Sequence, residues 1–549
     1  MTECVVRSNR RTPMLDSSRP TARLTPDGDK PRTSAARAKL PLITIAESTL
    51  ILASMRPSKL ISGLSCSCVN VINDMTQSRF HQQAWTTMMQ SIAIDNRSSR
   101  FRTGHPILME LPMTQSFSRR DILKSASGLL AAATMGGLLD KRAVAADVTP
   151  RASGKYIPNH AFAPVDRALQ QAVDRKTVAG VVALGATDKG IVYQGAFGKA
   201  DLDAGTPISM DSVFWLLSMS KAITATACMQ LIEQGKLQID QPASQVLPEL
   251  KAPMVLDGFD AAGKPKLRPS KRPITVRHLL THTSGYTYPV WSENILQYEK
   301  VTGMPDIAYS MNGAFTAPLE FDPGDRWEYG ISLDWVGKLV EAVSDQSLEV
   351  YFREKIFNPL GMGNSGFLIS SAQKKRVATM YNRQPDGSLK SAPFEMNQRP
   401  EFFSGGGGLF STPRDYMAFL QMLVRGGTFN GSRILKPETV AMMFKNQIGD
   451  LNVVEMKSAQ PAYSNSFDEF PGMGHKWGLS FDLNTQPGPH GRSAGSGSWA
   501  GLLNCYYWID PVKHVTGALF TQLLPFFDER VVNLWGQVEE GIYGGLRRS

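Results

Sequence analysis

A serine and a lysine lie three residues apart in the segment WLLSMSKAITATACMQLIEQGKL, residues 215–237. Positions i and i+3 share one face of a helix, so the Lys221 amine can reach the Ser218 hydroxyl. The neighbouring residues are mostly apolar, and an apolar cleft lowers the pKa of a lysine because it destabilises the ammonium form. A neutral amine can then accept the hydroxyl proton and activate the oxygen as a nucleophile. The pair therefore predicts acyl transfer through a serine ester.

Two other serine motifs compete with this pair. Ser371 and Lys374 repeat the spacing, but they lie in the polar stretch SSAQKKR, which is typical of a solvated surface. Ser493 is the centre of GRSAG, a G-x-S-x-G match, and this elbow requires a strand before it and a helix after it. A Gly-rich and then strand-like stretch follows instead, and His514 comes too soon for a separate triad loop. Ser218 therefore remains the predicted nucleophile.

Other motifs do not indicate a metal or a phosphate site. His278 and His282 are four residues apart, but Leu279 replaces the glutamate of H-E-x-x-H and no third ligand is nearby. We interpret both as buried, hydrogen-bonded histidines. The run Gly405–Gly408 is not followed by Lys-Ser or Lys-Thr, so we expect it to let the backbone approach an active-site wall. The sequence predicts no metal and no organic cofactor.

The elements that must position Ser218 follow a simple order. Strand-like segments occur near both ends of the chain after residue 160, and helical segments lie between them. The predicted helices are 164–175, the segment after Ser218, 332–345, 414–426 and 529–542, and the predicted strands are 178–184, 191–197, 477–483, 502–509 and 516–523. Residues 240–330 are rich in Pro and Gly, which favours irregular stretches and short helices. We predict one α+β domain: an antiparallel sheet closed by its N- and C-terminal strands, flanked by helices, with an inserted mostly helical region.

The net positive charge of the chain comes from its N-terminal quarter. The 549 residues have a formal net charge of +10. Residues 1–112 contain 15 Lys and Arg against 8 Asp and Glu, and residues 113–145 contain 5 against 2. The 39 basic and 39 acidic residues after position 145 balance. This balance gives no electrostatic reason to expect a nucleic-acid partner.

Residues 113–145 have the pattern of an export signal. The stretch SRRDILK, residues 118–124, places paired arginines before a short, weakly apolar run and the small residues Ala143-Val144-Ala145. Paired arginines are typical of the bacterial route that exports folded proteins. We therefore expect the twin-arginine machinery as a partner of the precursor and a periplasmic location. No other segment has the roughly 18 apolar residues of a stable membrane span.

A signal peptide would normally begin a chain, yet 112 residues precede this one. Residues 1–112 are rich in Ser, Arg and Thr and show little sustained helical or strand period. We interpret them as a misassigned or disordered extension, with the natural start at Met113 or Met109. Residues 146–549 would then form the catalytic domain.

Six segments, taken together in their order and spacing, are more specific than any single motif. They are DSVFWLLSMSKAITA (211–225), ITVRHLLTHTSG (274–285), PGDRWEYGISLDWVG (323–337), PLGMGNSGF (359–367), GGGGLFSTPRDYMAFLQML (405–423) and WAGLLNCYYWIDP (499–511). They resemble the serine hydrolases related to class C β-lactamases and penicillin-binding proteins, and among them the family VIII carboxylesterases. The resemblance covers about residues 160–530 and implies a β-lactamase-like fold.

The resemblance also implies roles for individual residues. Ser218 would be the acylated nucleophile and Lys221 its base. Tyr329, in the stretch YGIS, matches the catalytic tyrosine of the family, which lies near both and relays the proton. The backbone N–H groups of Ser218 and Leu502 would form the oxyanion hole, since Leu502 follows the third motif, Trp499-Ala500-Gly501.

Two positions depart from the β-lactamase pattern. Ile331 stands where these enzymes have an asparagine, and Trp499 stands where they usually have the lysine of Lys-Thr-Gly. The missing groups would contact the carboxylate and amide of a β-lactam. A substrate pocket lined by Trp499, Gly501, Ile331 and Trp327, next to Leu502, suits a neutral ester better than a lactam.

These observations predict a carboxylesterase-type serine hydrolase whose partner is a small-molecule ester or amide. Alternatives on the same fold are a β-lactamase, a D-Ala-D-Ala peptidase-type amidase, or an acyltransferase, because an acyl-enzyme can pass its acyl group to water, an alcohol or an amine. A ligand-binding protein that has lost turnover is a further possibility, although Ser218, Lys221 and Tyr329 are all present.

Overall fold

The structure is a computed structural model that describes residues 160–392 and 397–549. The predicted extension, residues 1–112, and the predicted twin-arginine signal, residues 113–145, lie outside the described residues. The first residues of the predicted catalytic domain, from 146, lie outside them as well.

An antiparallel sheet of eight strands forms the centre of the described domain, in the order β12-β13-β14-β15-β16-β1-β2-β3. The strands are β1 (Gly180–Thr187), β2 (Ile191–Asp201), β3 (Thr206–Pro207), β4 (Phe214–Trp215), β5 (Met254–Phe259), β6 (Pro265–Pro269), β7 (Tyr381–Arg383), β8 (Leu389–Ser391), β9 (Phe410–Ser411), β10 (Thr428–Phe429), β11 (Ser432–Arg433), β12 (Lys476–Trp477), β13 (Asp482–Leu483), β14 (Gly497–Gly501), β15 (Cys505–Asp510), β16 (Val515–Phe520) and β17 (Leu523–Leu524). N-terminal β1 pairs with C-terminal β16, with Val182 opposite Phe520. The predicted α+β fold, a sheet closed by strands from both ends, is confirmed.

Some helices pack on the sheet, and most of the others lie between its N-terminal and C-terminal strands along the chain. They are α1 (Ala163–Asp174), α2 (Ser220–Glu233), α3 (Val276–Leu280), α4 (Glu293–Thr302), α5 (Ser332–Ser344), α6 (Leu348–Phe352), α7 (Asn358–Leu360), α8 (Ser371–Lys374), α9 (Pro413–Val424), α10 (Pro437–Met443) and α11 (Glu529–Arg548). Helices α1 and α11 pack on each other, and α9 packs on β1 and β16. In the part of the chain that the structure describes, no helix combines the length and apolar character needed to cross a membrane.

Helix α2 is buried almost on every side, unlike the amphipathic helices at the periphery. From Ser220 to Leu231 every residue is buried, which is what an all-round apolar helix requires. Its threonines satisfy their hydroxyls on backbone carbonyls: Thr226 donates to Ala222 O at 2.9 Å, and Thr224 to Gly405 O at 2.7 Å. The second bond connects the helix to the glycine run Gly405–Gly408.

Two predicted strands are wrong in detail. Residues 477–483 form not one strand but the short pair β12 and β13, because the chain reverses at Ser480, which has a positive φ of 75°. The strand predicted from Leu502 begins at Cys505, since the preceding residues turn between β14 and β15. The hairpin of β5 and β6 in the inserted region was also not predicted, because two prolines bound its second strand.

Candidate active site

Ser218 lies on a short 3₁₀ turn, Leu217–Met219, directly before helix α2. The turn is held in place by β4, which pairs with β9, and by Leu216 N–H, which donates to Leu409 O at 2.9 Å. Leu217 has a φ of +46°, an unfavourable conformation for a residue with a branched side chain. The turn leaves Ser218 partly exposed at the helix N-terminus, where backbone N–H groups favour negative charge.

Lys221 is fully enclosed, with only 1% of its surface exposed. Its Nζ lies 3.2 Å from Ser218 Oγ, 3.0 Å from the Tyr288 hydroxyl oxygen and 2.7 Å from Gly406 O. Burial lowers the pKa of Lys221 from 10.5 to about 7, and the charge of Asp334 opposes this shift. A substantial fraction of this lysine is therefore a neutral amine at neutral pH.

Tyr329 closes the other side of the site. Its ring lies 4.7 Å from Lys221 Nζ, and its hydroxyl accepts a hydrogen bond of 3.1 Å from Trp499 Nε1. Burial raises the pKa of Tyr329, while hydrogen bonding to Ser218 and Trp499 opposes the rise. The structure thus brings together the three side chains that the sequence singled out: a hydroxyl, an amine and a phenol.

Sequence reasoning missed two residues of this cluster, Tyr288 and Asp334. Tyr288 contacts the lysine amine, and Asp334, in the first turn of α5, is buried with 1% exposure. Asp334 Oδ1 accepts hydrogen bonds from Ser404 Oγ at 2.7 Å and Gly406 N–H at 3.0 Å. A signal was available: an acidic residue between Leu333 and Trp335 in an apolar stretch is costly to bury without a purpose.

The glycine run forms the wall between these groups. Gly406 donates its N–H to Asp334 and accepts from Lys221 through its carbonyl. A Cβ at Gly406 would collide with Asp334 Oδ2 and lie 2.9 Å from the Tyr288 hydroxyl. The expectation that Gly405–Gly408 permits a close backbone approach agrees with this geometry.

The predicted oxyanion-hole peptide lies against the serine turn. Gly501 ends β14, and a Cβ at this position would collide with Leu216 O. Leu502 follows it in the turn to β15. The end of the strand therefore lies against the turn that carries Ser218, and the predicted second donor, the Leu502 N–H, follows directly after it.

Aromatic rings surround the Trp499 indole. Its ring centroid lies 4.8 Å from Tyr329, 4.7 Å from Trp477 and 5.5 Å from Phe467. Trp291 adds an edge contact to Tyr329 at 5.5 Å. The surroundings of Trp499 are thus aromatic where the β-lactamase pattern has a cation.

The remaining predicted pocket residues are buried. Ile331 is 3% exposed and precedes α5. Trp327 is 2% exposed, and its ring packs on His282 and Trp477, one layer behind Tyr329. Trp327 therefore packs behind His282, which contacts the Tyr329 ring.

Both histidines are hydrogen-bonded as expected, but only His282 is buried, whereas His278 is half-buried. His282 Nδ1 accepts the Gly330 N–H at 3.3 Å, and its ring lies 4.6 Å from that of Tyr329. His278 Nδ1 accepts the Thr275 N–H at 3.3 Å in the cap of α3. Among the described residues, no three His, Cys, Asp or Glu side chains are arranged to hold a metal ion.

The rival serines lie in other surroundings. Ser493 is in the loop between β13 and β14, and its N–H donates to Asp510 Oδ2 at 2.8 Å. A strand follows this loop, so the strand–turn–helix context of a nucleophile elbow is absent at this position. Ser371 and Lys374 are the first and last residues of α8, and both are exposed.

Comparisons with known proteins agree with this arrangement. The family model described as Beta-lactamase matches residues 165–539, more than half of the chain. The chain is 31% identical to lovastatin esterase of Penicillium rubens, over 69% of this chain and 98% of that protein. It is 30% identical to monacolin J acid methylbutanoyltransferase of Aspergillus terreus, over 70% of this chain and 96% of that one.

A solved structure extends the likeness to three dimensions. The LovD9 mutant of simvastatin synthase from Aspergillus terreus superposes with a TM-score of 0.63 at 30% identity, covering 71% of this chain and all of that chain. The chain therefore belongs to the β-lactamase family, and it is an enzyme of the hydrolase or transferase type.

Proposed function

We propose that this protein is a carboxylesterase that forms an acyl-enzyme on Ser218. The observation that carries the proposal is the buried Lys221 amine, 3.2 Å from the Ser218 hydroxyl oxygen and with a pKa of about 7. A lysine that is neutral near pH 7 can act as a general base for a hydroxyl, which an exposed ammonium cannot.

The chemistry follows from the positions of the three groups. Lys221 accepts the Ser218 proton as Oγ bonds to the ester carbonyl carbon, and the N–H groups of Ser218 and Leu502 stabilise the oxyanion. Such a donor is worth about 3–4 kcal/mol in the transition state. Tyr329 passes the proton to the leaving alkoxide as the C–O bond breaks. Water then attacks the acyl carbon and gives a proton to Lys221. As the bond between the acyl carbon and Oγ breaks, Lys221 returns this proton to Ser218 Oγ, and the acid and the free serine are released.

The walls of the cleft favour a neutral, apolar ester. Trp499 replaces the cation that would hold a lactam carboxylate, and its N–H is already engaged by Tyr329. Aromatic rings of Trp291 and Phe467 lie next to Tyr329 and Trp499. Burial of apolar substrate surface against these rings contributes about 25 cal/mol per Å².

Acyl transfer to an alcohol is the second candidate. A relative of 30% identity, matched over 96% of its length, is named a methylbutanoyltransferase. The same acyl-enzyme serves both reactions, and the acceptor decides the outcome. Adding a small alcohol to an ester assay and measuring ester and acid products together would give the partition between transfer and hydrolysis.

The central test is a panel of p-nitrophenyl esters of increasing chain length, with one chromogenic cephalosporin. Ser218→Ala should abolish ester hydrolysis, and the control Ser493→Ala should retain most of it. If Ser493→Ala lost ester hydrolysis while Ser218→Ala retained it, Ser218 would not be the nucleophile. Faster turnover of the cephalosporin than of any ester would favour the β-lactamase or peptidase alternative.

A protein that binds ligands without turnover is tested separately. A fluorophosphonate reacts with an activated serine whatever the natural substrate, so mass spectrometry should find the label on Ser218. A protein that neither hydrolyses the esters nor takes up the label would be a binding protein on an enzyme fold.

We also propose that residues 113–145 direct export by the twin-arginine route to the periplasm, on the sequence pattern alone. Fusing them to a fluorescent reporter in a bacterium should send the reporter to the periplasm. Replacing Arg119 and Arg120 by lysine should retain it in the cytoplasm, and unchanged export would reject the proposal.

A further inference from the structure

The lysine amine has three oxygen neighbours, and they constrain one another. Gly406 O at 2.7 Å is a carbonyl and can only accept a hydrogen bond. The Tyr288 hydroxyl at 3.0 Å and the Ser218 hydroxyl at 3.2 Å can each donate or accept. A neutral amine has two N–H groups and one lone pair, so which neighbour meets the lone pair depends on where the Tyr288 proton lies.

Asp334 supplies an acceptor for that proton. Its Oδ1 is occupied by Ser404 and Gly406, whereas its Oδ2 is buried without a hydrogen-bond partner among the described residues. A Cβ at Gly406 would touch both Oδ2 and the Tyr288 hydroxyl, so these two oxygens border the same small space. Burial raises the pKa of Asp334, and the neighbouring Tyr288 hydroxyl is one of the groups that oppose this rise. A buried orphan oxygen beside a hydroxyl draws its proton.

We propose that Asp334 is a positioning residue: by taking the Tyr288 proton, it turns the tyrosine oxygen into an acceptor and aims the Lys221 lone pair at Ser218. Lys221 then donates one N–H to Gly406 O and the other to Tyr288. The lone pair is left for the third neighbour, the Ser218 hydroxyl. This inference rests on the proposed function, in which Lys221 is the base.

Replacing the Asp334 carboxylate by an amide reverses the direction of its hydrogen bond with Tyr288. In Asp334→Asn the amide oxygen must stay towards the Gly406 N–H, which can only donate, so the NH₂ group faces Tyr288. The NH₂ group donates to the Tyr288 oxygen, and the tyrosine proton is redirected to the lysine lone pair. The Ser218 hydroxyl then loses its base although every side chain remains in place.

The test compares Asp334→Asn, Tyr288→Phe and the double variant. The readout is the rate at which a fluorophosphonate labels Ser218, which needs no knowledge of the natural ester. We expect Asp334→Asn to slow labelling about 10- to 100-fold, since a general base contributes about 10²–10⁴. Tyr288→Phe, which loses one acceptor for the amine, should slow it less than about tenfold.

The double variant tests whether Asp334 acts by directing the Tyr288 proton. It lacks the misdirected phenol proton, so it should label about as fast as Tyr288→Phe and several-fold faster than Asp334→Asn. If Asp334 only supported the fold, adding Tyr288→Phe to Asp334→Asn would not restore the labelling rate. A double variant as slow as Asp334→Asn, or slower, would overturn the proposal.

The pH profile gives a second measurement. Asp334, Tyr288, Tyr329 and His282 are the titratable groups that face Lys221. Asp334 raises the pKa of the lysine, so Asp334→Asn should move the acidic limb of the labelling rate to lower pH. If that variant does not fold, Tyr288→Phe alone serves: the limb should move to lower pH, because the ammonium form of Lys221 loses one hydrogen-bond acceptor. An unmoved limb in the variant measured would overturn the proposal.

These outcomes are separable from failure of the proposed function. If Ser218 of the unaltered protein labels readily but no ester is hydrolysed, the esterase proposal fails and the positioning test still applies. If esters are hydrolysed and the double variant shows no rescue, the positioning role of Asp334 fails alone.

Discussion

The Ser-x-x-Lys spacing occurs twice, in opposite surroundings. Ser218 and Lys221 lie at the start of the buried helix α2, with the lysine 1% exposed. Ser371 and Lys374 form the exposed helix α8, which contains no buried residue. Spacing alone places a hydroxyl near an amine in both. Only burial lowers the pKa of the lysine and removes competing water, so the environment decides which copy can do chemistry.

The largest expected difference between the two copies is in the lysines. Lys221→Met removes the base and should lower kcat for ester hydrolysis about 10²–10⁴-fold. Lys374→Met, the matched control, should leave kcat unchanged. Steady-state kinetics of both purified variants measures the difference. Comparable losses in both would mean that burial is not what separates the copies.

The pH dependence should be the next largest effect. Because Lys221 must be neutral to act as a base and its pKa is about 7, kcat/KM should rise with pH and level off above about 7. At one pH unit below that value the rate should be about tenfold below the plateau. A profile that keeps rising to pH 10 would show that the amine has the basicity of an exposed lysine.

The hydrogen bond from Trp499 to Tyr329, beside Ser218 and Lys221, should have a smaller effect on catalysis. Trp499→Phe keeps the aromatic wall but removes the N–H that donates to Tyr329, and should lower kcat up to about tenfold, in line with about 1 kcal/mol for one hydrogen bond. Trp327→Phe is the control, since its indole nitrogen has no partner within the described residues. Equal effects of the two substitutions would remove Trp499 from the mechanism.

The smallest expected effect is on stability, at the exposed helix α8 that carries Ser371 and Lys374. Ser370 caps α8: its hydroxyl accepts the Gln373 N–H, and the Gln373 side chain accepts the Ser370 N–H in return. Ser370→Ala should lower the free energy of unfolding by about 0.5–1 kcal/mol with no change in kcat. Urea denaturation measures the first and the ester assay the second. A loss of activity would connect this helix to the cleft.

The sequence predicted best where the pattern is local and worst where it depends on neighbours distant in the chain. The α+β order and the pair Ser218 and Lys221 follow from periodicity and spacing. Tyr329 came from a resemblance, since nothing near it in sequence indicates chemistry. Tyr288 was missed because its contact with Lys221 arises only in the folded chain. Asp334 was missed because an acidic residue in an apolar stretch indicates burial but not which groups the carboxylate meets.

The strands show the same limit. Strand β1 pairs with β16, and a sheet closed by strands from both ends of the domain was expected from the order of the elements. The reversal at Ser480 was not, because a positive φ in a non-glycine residue is imposed by the surrounding packing and leaves little trace in composition.

The division of the cleft between backbone and aromatic rings has a consequence for substrate range. The polar side, around Gly406, is built from main-chain atoms and buried groups that a single added methyl would disturb. The rings around Trp499, such as Phe467, are carried by a separate stretch of chain. Exchanging a ring such as Phe467 is therefore expected to change which substrates fit without altering the groups around Lys221.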